Sequence, residues 1–198
     1  MAEREGSSGQ AMVNAVALGY DLCCRLLYAL GPDLVRGSHR SAEGTSSTFG
    51  AVGAAAALAH LDEKGMRHAL SYAAQQVSGV WSWVRDAEHV EKAFDFSGMG
   101  ARNGVTAAIM AQMGFSGVWD VLDGEHNALS ALSADPRPEE MVAGLGSRPA
   151  SGAASAAIAA PTRPETISPA NTGPSSRVME RATTDPTKLV AWNRWNPE

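Results

Sequence analysis

The sequence has 198 residues but only two cysteines, Cys23 and Cys24, which are adjacent in the chain. Adjacent cysteines rarely form a disulfide with each other, and two thiolates alone do not complete a zinc site. A disulfide scaffold and a structural zinc module are therefore excluded. We interpret both residues as small, buried apolar side chains and predict a cytoplasmic protein in a reducing compartment.

Charged and aromatic residues are also scarce, at 19% and 6% of the chain, and the net charge is −5. Since no basic cluster or stripe is present that would bind a phosphate backbone, we predict no nucleic-acid partner. The first residues are acidic and lack the apolar core of a signal peptide. The longest apolar stretches are rich in alanine and interrupted, so we expect no membrane span.

The alternation of apolar and polar residues that marks strands is missing, and apolar residues recur instead with the 3.6-residue period of helices. Polar residues 33–44, which include His39, form a predicted connector, and residues 45–48 offer several N-caps. The fold class that we predict is all-α. The predicted helices span residues 8–30, 49–61, 63–78, 99–113, 116–122 and 136–145, with a short helix or turn at 85–93.

Small residues dominate the predicted helix at 49–61, which is mostly alanine with Gly50 and Gly53. They indicate that neighbouring helices approach closely, because no bulky side chain holds them apart. Asp62 is the predicted N-cap of the following helix, and Gly114 is the predicted C-cap of the helix at 99–113.

The composition changes near Ser147, after which Ala, Ser, Thr and Pro dominate and aromatic residues are absent as far as Pro186. Such a stretch buries too little apolar surface to offset the loss of chain entropy on folding. We therefore predict a helical region at 1–147 and a mostly disordered tail at 148–198.

The segment at 88–104 places Lys92 among acidic residues and a histidine, ahead of two glycines and an apolar run. A lysine beside carboxylates near a helix start can anchor an anionic substrate or carry a proton. The alternative is a solvated turn in which Lys92 pairs with Glu88 or Glu91. The residue types alone favour the solvated turn.

Five blocks, in the right order, resemble the MmgE/PrpD family, which includes 2-methylcitrate dehydratase and cis-aconitate decarboxylase. The resemblance covers about residues 12 to 147. Proteins of this family are more than twice as long, with a large helical domain made from both ends of the chain and a smaller α/β lid. The resemblance implies that this chain is the middle of the helical domain, without the lid. The blocks are Gly37-Ser38-His39, residues 48–57, residues 69–79, Glu91-Lys92 with residues 98–108, and residues 114–117 with 122–124.

The resemblance also implies a chemistry, because family members act on small di- and tricarboxylic acids. Dehydration of such an acid needs a base, an acid for the leaving hydroxyl and cations for the carboxylates. His39 is the implied active-site histidine, which would donate to the substrate or move a proton, and its alternative is a loop histidine bonded to the backbone. Lys92 is the implied active-site lysine, either as a point charge on a carboxylate or as an acid if burial lowers its pKa.

Thr45 is a weaker substrate-binding candidate, because the start of a helix can offer N–H donors to an anion. Ordinary helix capping is the stronger interpretation of this threonine. The family implies no metal and no cofactor, and the only small-molecule partner that we expect is a carboxylic acid.

Three functions follow from the sequence. The first is an MmgE/PrpD-like lyase domain that dehydrates a 2-methylcitrate-like hydroxy acid in propionate metabolism. The second is a truncated relative without activity, and the third is a helical protein-interaction module. Because a helical piece without its neighbours exposes apolar faces, we also predict a homo-oligomer, as a dimer, or self-association through those faces.

Overall fold

The structure, a computed structural model, describes residues 1–77, 79–88, 92, 97–145 and 150. Apart from an isolated antiparallel bridge between Arg40 and Val80, those residues contain no β-structure, so the all-α prediction is confirmed. Within the described ranges, 3₁₀ helices span Trp81–Arg85 and Pro138–Met141. The α-helices are α1 (Gly9–Leu30), α2 (Pro32–Gly37), α3 (Ala42–Leu58), α4 (Glu63–Gln75), α5 (Met99–Gln112) and α6 (Ala128–Leu132).

The described residues lie in one compact unit, Met1–Ala157. Of the predicted tail at 148–198, residue 150 alone is among the described residues. Of the predicted helix or turn at 85–93, residues 89–91 and 93 lie outside them. The 3₁₀ helix of this region starts at Trp81, four residues before the predicted start at 85, and it ends at Arg85.

Capping residues set the ends of α1, α4 and α5 close to where the sequence predicts them. The Ser8 hydroxyl accepts a hydrogen bond from the Ala11 amide at 3.1 Å and begins α1. The Asp62 carboxylate accepts one from the Gly65 amide at 2.7 Å and begins α4. Past the end of α5, Gly114 has a φ of 89°, a left-handed conformation that favours glycine.

The predictions for residues 33–48 are wrong. The expected connector contains α2, and α3 begins at Ala42 rather than within residues 45–48. Its N-cap is Ser41, whose hydroxyl accepts a hydrogen bond from the Gly44 amide at 3.0 Å. The four hydroxyls at 45–48 instead donate to carbonyls three or four residues earlier in α3. Because these bonds satisfy the hydroxyls inside the helix, residues 45–48 belong to α3, whereas the sequence pattern predicted that the helix starts after them.

Residues 116–122 form no helix, which corrects another prediction. Their backbone groups bond to α4 instead. The Val118 amide donates to the Ser71 hydroxyl at 2.9 Å, and the Ser116 carbonyl accepts from the Tyr72 hydroxyl at 2.8 Å. Because these tertiary bonds satisfy the backbone, the segment does not need helical bonds.

The C-terminal part of the described chain is less helical than the sequence predicts. Of the helix expected at 136–145, the 3₁₀ helix Pro138–Met141 is present. Helix α6 was not predicted from the sequence, and it is capped by Asn127, whose side chain accepts a hydrogen bond from the Ser130 amide at 2.9 Å. Its five residues are too few to show a helical period.

Helix α3 lies between α1 and α5, and glycines allow both contacts. A Cβ atom on Gly19 of α1 would lie 2.8 Å from the carbonyl oxygen of Gly50 in α3. On the other side, a Cβ atom on Gly104 of α5 would lie 2.6 Å from the backbone nitrogen of Val52. Real Cβ atoms do not approach so closely, so the predicted close packing is confirmed.

The buried guanidinium of Arg25 attaches the segment at 141–143 to α1. The side chain of Arg25 is 4% exposed, and its Nε lies 2.7 Å from an Asp21 carboxylate oxygen. The same guanidinium donates to the carbonyls of Met141 and Ala143, at 3.3 and 2.9 Å. These bonds hold the 3₁₀ helix Pro138–Met141 against α1.

Helix α1 is the one helix in the described ranges that is long and apolar enough to cross a membrane, with a mean hydropathy of 1.3. This is weak evidence for a membrane span, because core helices and signal sequences meet the same criteria. One face of α1 packs against α3, and large apolar side chains on the rest of its surface are exposed. The exposed ones are Met12, Val13, Val16, Leu18 and Tyr20.

Candidate functional site

The backbone around His39 is fixed, while its side chain is exposed. His39 follows α2 with a φ of 64°, its amide donates to the Arg36 carbonyl at 2.8 Å, and its carbonyl accepts from the Trp81 amide at 2.9 Å. The bridge between Arg40 and Val80 continues this pairing. Among the described residues, the imidazole has no hydrogen-bond partner, so the alternative of a side chain bonded to backbone is not observed.

A surface pocket of about 400 Å³ opens beside His39. Its volume is within the range of small-molecule sites. The lining combines apolar residues with three residues that can donate hydrogen bonds: His39 with its imidazole, Ser82 with its hydroxyl and Arg85 with its guanidinium. The lining residues are His39, Val80, Trp81, Ser82, Val84 and Arg85.

Side chains from α2 and α3 hold the 3₁₀ helix that forms most of this lining. The Trp83 indole N–H donates to the Ser41 hydroxyl at 3.2 Å. The Arg36 guanidinium lies over the Trp81 ring, 5.5 Å from its centroid, and forms a 2.6 Å ion pair with Glu43. Burial raises the pKa of Glu43, but the hydrogen bond and charge of Arg36, together with hydrogen bonds from the Glu43 backbone and Ser41, outweigh it and leave that pKa below its ordinary value.

Lys92 is held by acidic residues that follow the same 3₁₀ helix. Its Nζ lies 2.9 Å from an Asp86 carboxylate oxygen and 3.7 Å from one of Glu88, and its side chain is 43% exposed. The hydrogen bond with Asp86 raises the pKa of Lys92 above its ordinary value. The ion pair that the sequence allowed with Glu88 is therefore present, with Asp86 as the closer partner, while Glu91 lies outside the described residues.

The raised pKa bears on the two roles that the resemblance implies for Lys92. An acid near neutral pH would need a lowered pKa, and the shift is in the opposite direction. A permanently charged ammonium fits the role of a point charge. Lys92 does not belong to the lining of the His39 pocket, although both residues are attached to the segment at 81–88, through Trp81 and through Asp86.

Thr45 is buried in α3 and its polar groups are bonded there. Its hydroxyl donates to the Ser41 carbonyl at 2.8 Å, and its amide donates to the same carbonyl at 3.1 Å. Since Ser41 is the N-cap, capping does not describe Thr45, and its role in substrate binding stays a prediction.

Two polar residues of the pocket, Ser82 and Arg85, were missed by the sequence analysis. They stand three positions apart, which is one turn of a 3₁₀ helix, so they project from the same side. Their spacing of three residues would have placed them on one side only if the segment had been known to be a 3₁₀ helix. No side-chain partner of Arg85 is found in the part of the chain that the structure describes.

A second pocket, of about 260 Å³, is mostly apolar and lies beside Leu70, Leu129 and Met141. Its cation, Arg67, is already occupied, because it pairs with Glu63 at 3.0 Å and lies 4.5 Å above the Trp119 ring. Within the described ranges, no group of three or more His, Cys, Asp or Glu is placed to hold a metal ion. The His39 pocket is therefore the stronger candidate site.

The fold and the pocket together define an all-α domain with a small polar site between the loop after α2 and the 3₁₀ helix Trp81–Arg85. The family model of the MmgE/PrpD N-terminal domain matches residues 1–141, more than two thirds of the 198 residues. The chain belongs to the MmgE/PrpD family. No match to the chain was found among curated proteins.

Proposed function

We propose that this chain is a lyase domain that dehydrates a small di- or tricarboxylic hydroxy acid, such as 2-methylcitrate. The observation that supports this function is the imidazole of His39, which has no partner among the described residues, at a 400 Å³ pocket in a chain of the MmgE/PrpD family. A fixed backbone holds the histidine in place, and no hydrogen bond within the described part of the chain has to break when the imidazole binds a ligand.

In the proposed reaction, a proton leaves the carbon next to a carboxylate, and the C–O bond to the neighbouring hydroxyl breaks. The electrons of the C–H bond form the new double bond, and the hydroxyl takes up a proton to leave as water. His39 is the proton-transfer group, since an imidazole can accept the carbon-bound proton and return a proton to the leaving group.

Lys92 contributes positive charge in this proposal. Its ammonium is cationic below its raised pKa, and a substrate carboxylate would replace one of the two acidic groups that hold it. The exchange of one carboxylate for another has a small net effect on binding, so Lys92 orients the substrate more than it adds affinity.

The test is a turnover assay with 2-methylcitrate, citrate and malate, followed by the ultraviolet absorbance of the alkene product. We expect turnover by the chain and a loss of about 10²- to 10⁴-fold in His39→Asn. His60→Asn is the matched control, because His60 is also exposed and has a positive φ, 52°, that asparagine tolerates. The absence of turnover, together with the absence of a thermal shift with any of the three acids, would contradict the proposal.

A second candidate function, a helical interaction module, is favoured by the exposed apolar side chains of α1. Capture of a protein partner by the chain, without binding of any carboxylic acid, would support this function over the lyase.

A further inference from the structure

We propose that Arg85 binds a carboxylate of the ligand in the His39 pocket, with the Ser82 hydroxyl as a second donor. The proposal rests on the proposed function, because it names the residue that recognises the carboxylate of that substrate. It assigns to Arg85 the main recognition role that the family resemblance gives to Lys92.

Charge pairing distinguishes Arg85 from Arg36 and Lys92. Arg40 is set apart because it donates to the Ala131 carbonyl at 2.6 Å and does not line the pocket. Arg36 pairs with Glu43 at 2.6 Å, and Lys92 pairs with Asp86 at 2.9 Å. Within the described ranges, Arg85 has no acidic partner, and its side chain lines the pocket. An anion can therefore bind the Arg85 guanidinium without first displacing a carboxylate of the described residues.

The chemistry of the group fits a carboxylate. A guanidinium presents a planar fork of N–H donors that can bind both oxygens of a carboxylate at once, which an ammonium cannot do. Ser82 lies one turn of the 3₁₀ helix before Arg85, and it lines the same pocket. His39 faces the pocket from the neighbouring loop, so the carboxylate donors and the proton-transfer group have a common site.

The support of Arg85 is rigid enough for recognition. The Trp81 amide donates to the His39 carbonyl at 2.9 Å, and the Trp83 indole donates to the Ser41 hydroxyl at 3.2 Å. The 3₁₀ helix is therefore tied to both the His39 loop and the start of α3. Only the side chain of Arg85 has to be ordered when a ligand binds, which limits the entropy cost.

The experiment measures binding separately from turnover. The probe is tricarballylate, a tricarboxylate without a hydroxyl group, which cannot be dehydrated. Its Kd is measured by titration calorimetry with the full chain, with Arg85→Gln and with Arg85→Lys. We expect Arg85→Gln to raise the Kd about 10- to 100-fold, and Arg85→Lys to recover part of the loss, since it keeps the charge without the fork.

Lys64→Gln is the control for charge, because Lys64 is an exposed residue of α4 that does not line the pocket. It should leave the Kd unchanged. An equal loss in Lys64→Gln and Arg85→Gln would show general electrostatic attraction and overturn the proposal. Arg85 is exposed and unpaired among the described residues, so circular dichroism should show that its variants stay folded.

The outcomes separate this proposal from the proposed function. Binding of tricarballylate that weakens in Arg85→Gln, without turnover of any hydroxy acid, would support Arg85 and reject the lyase. Turnover by the chain with the same KM and the same tricarballylate Kd in Arg85→Gln would support the lyase and overturn the role of Arg85. A chain that does not bind tricarballylate at all would also overturn it.

Discussion

At the residue scale, Lys92 shows how a neighbour that the sequence analysis did not single out determines the state of a candidate site residue. The sequence suggested Glu88 or Glu91 as its partner, and the structure makes Asp86 the closer one, at 2.9 Å. A family motif can indicate that a lysine is present, but its protonation depends on which carboxylate the fold brings to it. The pairing with Asp86 extends the positive charge of Lys92 to a higher pH than an unpaired lysine would have.

Asp86→Asn should lower the pKa of Lys92 toward its ordinary value of 10.5, because the largest cause of the raised pKa is the hydrogen bond with Asp86. The pKa is measured by an NMR titration of the lysine side chain at high pH. Glu88→Gln is the matched control and should have a smaller effect, since Glu88 lies 3.7 Å from the ammonium. A pKa that does not change in Asp86→Asn would contradict this account of the charge on Lys92.

The raised pKa of Lys92 also predicts how the proposed turnover depends on pH. A raised pKa keeps Lys92 cationic at every pH below its ordinary value of 10.5, and its charge is lost only as the pH rises through the higher folded value. Lys92 therefore adds no limb to the pH–rate profile near neutrality. A limb in that range would come from another group.

At the element scale, helices with a side-chain cap next to their apolar run could be predicted from the sequence. Ser8 and Asp62 precede α1 and α4 directly, and each caps its helix. The start of α3 could not be found in this way, because residues 45–48 supply four more hydroxyls just after the true cap, Ser41. Which hydroxyl caps a helix depends on the tertiary contacts of the chain before it, here the bond from the Ser41 amide to the Gly79 carbonyl.

Gly104→Ala tests the close packing of α5 against α3. The added Cβ would lie 2.6 Å from the backbone nitrogen of Val52, and backbone cannot move away as a flexible side chain can. We expect a loss of about 1–3 kcal/mol in the free energy of unfolding, as for other overpacked sites. Urea denaturation followed by circular dichroism measures the change.

Gly9→Ala is the control for this substitution, because Gly9 is also helical and a Cβ there meets no atom within 4 Å. It should stabilise the chain by up to about 1 kcal/mol, since alanine loses less conformational entropy than glycine in a helix. Equal effects of the two substitutions would show that helix propensity, rather than interhelical contact, determines the result.

At the scale of the whole molecule, the family could be recognised from sequence blocks, which also singled out His39 as a candidate, but the other residues of the pocket could not be predicted. The 3₁₀ helix Trp81–Arg85 has no periodic apolar pattern, and its register decides that Ser82 and Arg85 share a side. The bonds from Arg25 to the carbonyls of Met141 and Ala143 were missed for a related reason, since they join α1 to a segment more than a hundred residues later. Contacts over such distances leave no local signal.

The exposed side chains of α1 support the earlier expectation of self-association, which we retain as a proposal. Met12, Val16 and Tyr20 are spaced four residues apart, and Val13 lies beside them, so they form one apolar stripe. These four side chains are between 45% and 65% exposed. A contiguous apolar stripe of this kind is typical of a contact surface, and two copies of the chain can cover it by pairing their α1 helices.

Sedimentation velocity over a range of concentrations tests this proposal, with a dimer as the expected species of the unmodified chain. The double substitution Val16→Glu and Tyr20→Glu should give a monomer, because pairing would bury four unpaired carboxylates, two from each copy. Val142→Glu is the control, since Val142 is equally exposed but lies outside α1. A monomer at every concentration before any substitution would contradict pairing through α1, whereas a dimer that persists in the double variant would place the interface elsewhere.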